Sequence, residues 1–193
     1  MNIEDLNSIL KGLSDITEIK PSDIPDIDLY MDQVTTFIDN KLGSDKRSKK
    51  DKLLTKTMIN NYSKAKILAP SKNKKYNKQQ MIQLVLIYYL KQILSIGDIE
   101  DLFTPLFDAA EDNSTLVEDI YCTYLQAKKN NIKNVSVMLK DNEDLIAQTG
   151  ANLEGTEKNK VQLIATAMLL TSQAQAYKRT AEAIIDNHFK VNT

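Results

Sequence analysis

Leu53 to Phe103 reads LLTKTMINNYSKAKILAPSKNKKYNKQQMIQLVLIYYLKQILSIGDIEDLF, and the order of caps, breaks and apolar positions in this stretch decides the fold. Thr55 can accept a hydrogen bond from an orphan N–H of a first helical turn, which predicts a helix from Lys56 to about Lys64. At about 100° per residue, Met58, Ile59, Tyr62 and Ala65 share one side, while Lys56, Thr57, Asn60, Asn61 and Lys64 share the other. Ile67 and Leu68 then read as a short apolar strand ended by Ala69 and Pro70. SKNKK gives a turn with three lysines, and Tyr76 restarts apolar contact, so residues 67–76 predict a two-strand wing with a basic tip. From about Asn77 to Leu94 apolar residues fall on nearly every side (Met81, Leu84, Val85, Leu86, Ile87, Tyr88, Leu90, Ile93), the mark of a buried central helix. Ser95 can cap a further turn, GDIEDLF, which Pro105 should stop.

Charge follows the same boundaries. Thirteen basic residues lie between Lys41 and Lys78, opposed only by Asp45 and Asp51, so this stretch carries about +11. The chain total is −1, which leaves the remainder strongly acidic. Such a split is the footprint of a nucleic-acid-binding face on an acidic body, and the plain alternative is a solvated lysine loop. A short helix with an apolar back and a front of Lys and Asn suits a groove. Asn can bond adenine bidentately, and Lys can reach phosphate or guanine. The candidate DNA contacts are therefore Lys56, Thr57, Asn60, Asn61 and Lys64 on that helix, Lys72, Lys74 and Lys75 on the wing, and Arg47 in the preceding loop. The alternative for the helix is a surface element whose polar face meets water.

Composition removes several function classes. Five Gly and four Pro in 193 residues are too few for an all-β fold, so a mainly helical protein is expected. Cys122 is the only cysteine, which excludes an internal disulfide and a cysteine metal site; it reads as a small core residue. His188 is the only histidine and reads as structural or surface. Phosphate loops, HExxH, GxSxG and carboxylate clusters are all missing, so no enzyme, no metal and no cofactor are expected. MNIEDLNSILKG has no signal-peptide character, and MIQLVLIYYL is too short to span a bilayer, which predicts a cytoplasmic protein without membrane partners.

Outside the central stretch, Ile3, Leu6, Leu10 and Leu13 predict a short helix with Gly12 as C-cap. Pro21 and Pro25 punctuate a connector, and Asp26 or Asp28 can cap a helix to about Asn40 with Leu29, Val34, Phe37 and Ile38 inward. KLGSDKRSKKDK, with no periodicity, reads as a mobile basic loop. Thr115 with Glu118 predicts a capped helix through Lys129 that turns Val117, Ile120, Tyr121, Tyr124 and Leu125 inward. Val135 to Ile146 suggests another helix. Glu157 to Phe189 reads as one long helix in which Leu163, Ala167, Leu170, Ala174, Tyr177, Ala181 and Ile184 recur in steps of four and three, a coiled-coil seam. The seam predicts a homodimer, against the alternative that it packs on the chain's own helices.

The stretch from Thr55 to Leu102 resembles the winged helix-turn-helix domain of MerR-like bacterial regulators. Thr55 stands at that family's capping Ser, Ile59 at a Leu, Tyr62 at the second Tyr of its Y-Y pair, and Ile67, Leu68 and Pro70 at L-L-x-P. Tyr76 follows the wing, Leu84, Ile87, Leu90 and Lys91 match L-x-x-I-x-x-L-R, and Ser95, Ile96, Ile99 and Leu102 match the last piece. Asn60 replaces the family's Arg, Lys66 replaces its Gly, and an insertion of roughly Lys41 to Lys52 precedes the recognition helix. The whole sequence also looks like a set of bacterial proteins grouped as a domain of unknown function.

The resemblance implies a winged helix-turn-helix domain over 25–107, preceded by an N-terminal helix and connector over 1–24. It is followed by a C-terminal helical region over 108–193 for dimerisation or a small-molecule effector. It further implies a transcriptional regulator that places Lys56–Lys64 in the major groove of double-stranded DNA and wing residues 71–76 on the backbone. A winged-helix module that docks an acidic protein without binding DNA is the second reading; Arg47 is the only arginine in the basic stretch.

Overall fold

A computed structural model describes residues 8–12, 18–48, 51–112 and 115–190. The chain is mainly helical with a two-stranded antiparallel sheet. In chain order the elements are β1 (Leu29–Tyr30), α1 (Met31–Leu42), α2 (Lys56–Lys64), β2 (Lys75–Tyr76), α3 (Lys78–Leu90), α4 (Ile96–Asp112), α5 (Leu116–Asp141), α6 (Glu143–Gln148) and α7 (Gly155–His188). It divides into two compact units. One comprises residues 17–125 and 181–193, the other 1–16 and 126–180. No helix of the described residues is long and apolar enough to cross a membrane.

The first unit is built around α3. Every residue from Gln80 to Tyr89 is buried, as the apolar residues around its circumference require. Ile19, Ile24 and Leu29 from the leading segment, Val34, Ile38 and Leu42 from α1, and Ile59 and Tyr62 from α2 join the same cluster. Ile99 and Phe103 from α4 and Val117, Tyr121 and Leu125 from α5 complete it. Each fully buried aliphatic side chain stabilises the fold by about 1.5–3 kcal/mol. A long-range tie joins the two ends of this cluster in sequence: the buried Tyr121 hydroxyl donates to the Ile19 carbonyl at 2.5 Å.

Four elements differ from the sequence expectation. Ile67 and Leu68 form no strand. They are buried anchors, 0 and 1% exposed, and the strand partner of Lys75–Tyr76 is Leu29–Tyr30, with Leu29 opposite Tyr76 and Tyr30 opposite Lys75. That pairing also moves the start of α1: neither Asp26 nor Asp28 caps it, the N-cap is Tyr30, and Gln33 Oε1 accepts from the Tyr30 N–H at 2.8 Å. Pro105 does not stop α4, which continues to Asp112. The apolar stripe of Phe103, Leu106, Phe107 and Ala110 runs past the proline and packs on the core, which offsets the roughly 3 kcal/mol penalty of an interior proline. The helices expected on either side of residue 130 are one helix, α5, because nothing in QAKKNNIKNV breaks helical geometry.

Smaller differences follow from these. In the basic segment after α1 the described residues include a 3-10 turn at Gly43–Asp45, and Asp51 Oδ2 accepts from the Ser48 N–H at 2.8 Å. α3 ends at Leu90 rather than Leu94. On α5, Ile120 and Cys122 are exposed instead of inward, while Val117, Tyr121 and Leu125 are buried. The helix expected on Ile3, Leu6, Leu10 and Leu13 lies largely outside the described residues, of which 8–12 are helical.

In the second unit, the C-terminal half of α5, α6 and most of α7 pack together. Gly150 adopts φ +71°, where a side chain would be strained and would press on Leu153 and Val161 at 3.4 Å. A groove of about 240 Å³ runs between α5 and α7, lined by Val135, Met138, Leu170, Ala174 and Tyr177 with the carboxamides of Asn131, Asn134 and Gln173.

Candidate nucleic-acid interface

From Lys52 to Gly97 the chain contains nine lysines and no acidic residue. α2 lies within this stretch, and its bounds and cap are those expected: Thr55 Oγ1 accepts from the Met58 N–H at 3.2 Å. Ile59 and Tyr62 are buried, Met58 and Ala65 are half-buried, and Lys56, Thr57, Asn60, Asn61 and Lys64 are all exposed on the opposite face. The structure thus brings five of the nine candidate contacts onto one surface. Burial of the Tyr62 ring also raises its phenol pKa.

α2 is fixed at both ends. At its start, Lys91 on α3 reaches across. Its Nζ donates to the Leu53 carbonyl at 3.0 Å, lies 3.7 Å from Met58 Sδ, and sits 5.7 Å from the Tyr88 ring centroid. Half-burial lowers the Lys91 pKa by disfavouring its charged form. At its end, the Ile67 N–H donates to Tyr62 O at 3.1 Å and the Lys66 N–H to Ser63 O at 3.2 Å. These are the two bonds of a Schellman C-cap, with Lys66 in the left-handed region at φ +57°. Glycine is the usual residue there, and a side chain costs about 1 kcal/mol by comparison. The glycine-to-lysine departure seen in sequence therefore falls on a backbone position that still has glycine geometry.

After the cap, the chain is clamped by two buried glutamines of α3. Gln80 Nε2 donates to Ala69 O at 2.9 Å and Pro70 O at 3.0 Å, and its Oε1 accepts from the Asn77 N–H at 2.9 Å. Asn77 Oδ1 accepts in return from the Gln80 N–H, which completes a capping box at the start of α3. Gln83 Oε1 accepts from the Ala69 N–H at 3.4 Å. Sequence reading missed both glutamines as holders of this segment; the N-x-x-Q spacing of Asn77 and Gln80 was the available signal.

The basic tip is a two-residue turn. Asn73 (φ +53°) and Lys74 (φ +62°) occupy its centre, and the Lys75 N–H donates to Lys72 O at 3.0 Å. Positive φ at both central positions is the primed type that matches strand twist; asparagine tolerates it and lysine is less suited. Lys72 and Lys74 are exposed and make no salt bridge among the described residues. Lys75 is different. It is half-buried in β2, with its Nζ 4.9 Å from the Tyr30 ring centroid.

Other lysines of the basic stretch are neutralised from within the same unit. Lys56 pairs with Asp32, Lys46 with Asp39 at 3.0 Å, Lys41 with Asp23 at 3.4 Å, and Lys78 with both Asp26 and Glu118 at 3.7 and 3.6 Å. The Asp23 carboxyl is held below its usual range, chiefly by the Lys20 N–H that it accepts from and then by Lys41. Arg47 is exposed in the segment after the 3-10 turn and forms no bond to α2 or to the basic turn. Chemically, the surface offers unpaired ammonium groups and carboxamides to an anionic or hydrogen-bonding partner. No cluster of three or more His, Cys, Asp or Glu among the described residues could hold a metal.

The seam expected for a second copy lies on α7. Leu163, Tyr177 and Ile184 are 45, 71 and 50% exposed, Ala167 and Ala174 are exposed, and Leu170 and Ala181 are half-buried. Ile185 and Thr166, off the seam, are the buried residues of this helix.

Residues 19–124 match a family described as a domain of unknown function, DUF1836. The chain belongs to this family. The matched span coincides with the core cluster that runs from Ile19 to Leu125, so the family is defined by the unit that carries α2 and the basic turn. The match brings no activity with it and does not bear on the likeness to MerR-like regulators. No curated protein matches the chain. No solved structure matches it.

Proposed function

We propose that the unit around α3 is a winged helix-turn-helix module for double-stranded DNA, and that the chain is a cytoplasmic transcriptional regulator. The observation that carries this reading is the exposed row Lys56, Thr57, Asn60, Asn61 and Lys64 on a nine-residue helix locked at both ends, within a stretch free of acidic residues. In this reading α2 enters the major groove, where Asn60 and Asn61 meet base edges and Lys64 meets phosphate. The turn at Lys72–Lys75 lies on the backbone. Lys75, engaged with Tyr30, contributes less than Lys72 and Lys74.

Two α2 helices reading adjacent half-sites require a dimer, and the partly exposed seam of α7, with Leu163, Tyr177 and Ile184 open, is its proposed interface. A dimer in sedimentation equilibrium is the expected result. The C-terminal region leaves room for a small organic effector, and none is required for the reading.

The direct experiment is Asn60→Ala and Lys64→Ala assayed on a selected duplex site. Asn60→Ala should lose sequence discrimination of about 1–3 kcal/mol, and Lys64→Ala should weaken all duplexes alike. Unchanged affinity and selectivity in both would remove α2 from the interface. Binding of an acidic protein by the same face, with no duplex bound, would favour the interaction-module reading.

A further inference from the structure

Two lysines of the basic surface stand at backbone positions made for glycine. Lys66 takes φ +57° at the Schellman cap of α2, and Lys74 takes φ +62° at the centre of the primed turn. Both are exposed, and neither side chain makes a hydrogen bond or salt bridge among the described residues. Among the described residues no hydrogen bond or salt bridge rewards a lysine at either place, while the backbone conformation disfavours one. The first part of the segment between them is held to the core: Ile67 and Leu68 are buried, and Gln80 and Gln83 bond Ala69 and Pro70.

We infer that Lys66 and Lys74 are a pair of backbone-phosphate contacts for duplex DNA, retained at the expense of fold stability. The inference rests on the DNA-binding reading above and adds Lys66, which neither the helix face nor the wing had supplied. The segment presents both lysine Cα atoms from a preformed backbone, so binding orders little beyond the side chains themselves, and that limits the entropy lost. The partner surface is a row of phosphates, because each contact is a compact point charge on a flexible stem, set on the backbone beside α2 and not on its groove-facing side. Lys64, exposed two residues before the Lys66 cap position, continues the same run of positive charge.

The test is the full-length chain with Lys66→Gly, Lys74→Gly and both together, each measured for thermal midpoint and for duplex binding across a salt series. Glycine fits both backbone positions, so each variant should fold and its midpoint should rise. Affinity for random duplex near 0.1 M salt should fall about five- to tenfold per lysine, and the log–log salt slope should shrink by about one per lysine per bound chain. A raised midpoint with unchanged affinity and slope would overturn the inference and leave the DNA-binding reading standing. If the native chain binds no duplex at 50 mM salt, both the inference and that reading fall.

Discussion

Lys91 Nζ donates to the Leu53 carbonyl at 3.0 Å, a bond that joins the buried α3 helix to the residue two before the cap of α2. Thirty-eight residues separate the partners. The orientation of α2 therefore depends on a half-buried ammonium group whose charged form is disfavoured by burial. Lys91→Met keeps the aliphatic stem and removes the charge-assisted bond, which leaves Leu53 O short of a donor. The expected loss is about 1 kcal/mol in urea unfolding, because relief from desolvation offsets part of a bond worth about 1.5–3 kcal/mol. A variant as stable as the native chain, with unchanged amide exchange at Met58, would show that the bond does not hold α2.

Gln80 and Gln83 should separate clearly. Gln80→Leu removes bonds to Ala69 O, Pro70 O and Asn77 N, and the predicted cost is about 2–4 kcal/mol. Gln83→Leu removes one long bond at 3.4 Å and should cost under about 1 kcal/mol. Chemical denaturation of both variants decides it; equal losses would mean that burial, and not the clamp, sets the sensitivity.

Tyrosine ionisation gives a pH prediction with a definite sign. Burial raises Tyr62 and Tyr121 above the ordinary phenol value, and it pushes Tyr124 up to about 12, with Glu18 adding to the effect. A raised folded pKa means that the unfolded chain releases its proton first, so stability is full below pH 10 and is lost as pH climbs from about 10 toward 12. The tyrosinate absorbance of Tyr62, Tyr121 and Tyr124 should therefore appear only together with loss of helical signal. One smooth step for all eight tyrosines with helix intact would contradict this.

Asp32 faces Lys56 across an exposed salt bridge, a contact that adds little to stability. Removing its charge should act on binding instead. Asp32→Asn is predicted to raise duplex affinity about two- to fivefold at 0.1 M salt and to steepen the salt dependence, since it frees one ammonium for phosphate. Unaltered affinity in an anisotropy titration would place Lys56 outside the contact.

The parts of this architecture that were legible in sequence are those set by local signals. Thr55 with the Lys/Asn and apolar faces gave α2 to the residue, and the uninterrupted apolar run gave the buried α3. What escaped was set by tertiary context. The strand partner of Tyr76 proved to be Leu29, 47 positions earlier, and no local pattern at Ile67 and Leu68 distinguishes a strand from two buried anchors. Pro105 carries a strong stop signal, yet Phe103, Leu106 and Phe107 pack on the core and hold the helix through it. On the surface, composition located the basic stretch but not which lysines are neutralised. That distinction depends on Asp32, Asp39, Asp23 and Asp26, all outside the basic stretch itself.

The central claim is that this surface binds duplex DNA, and it is met most directly by a salt titration of fluorescence anisotropy against random and native upstream duplexes. With about four phosphate contacts from each half of a dimer, affinity should fall about 10³-fold or more between 50 and 200 mM salt, and one upstream sequence should bind tighter than random DNA. A folded chain that binds neither duplex at 50 mM salt would contradict the account.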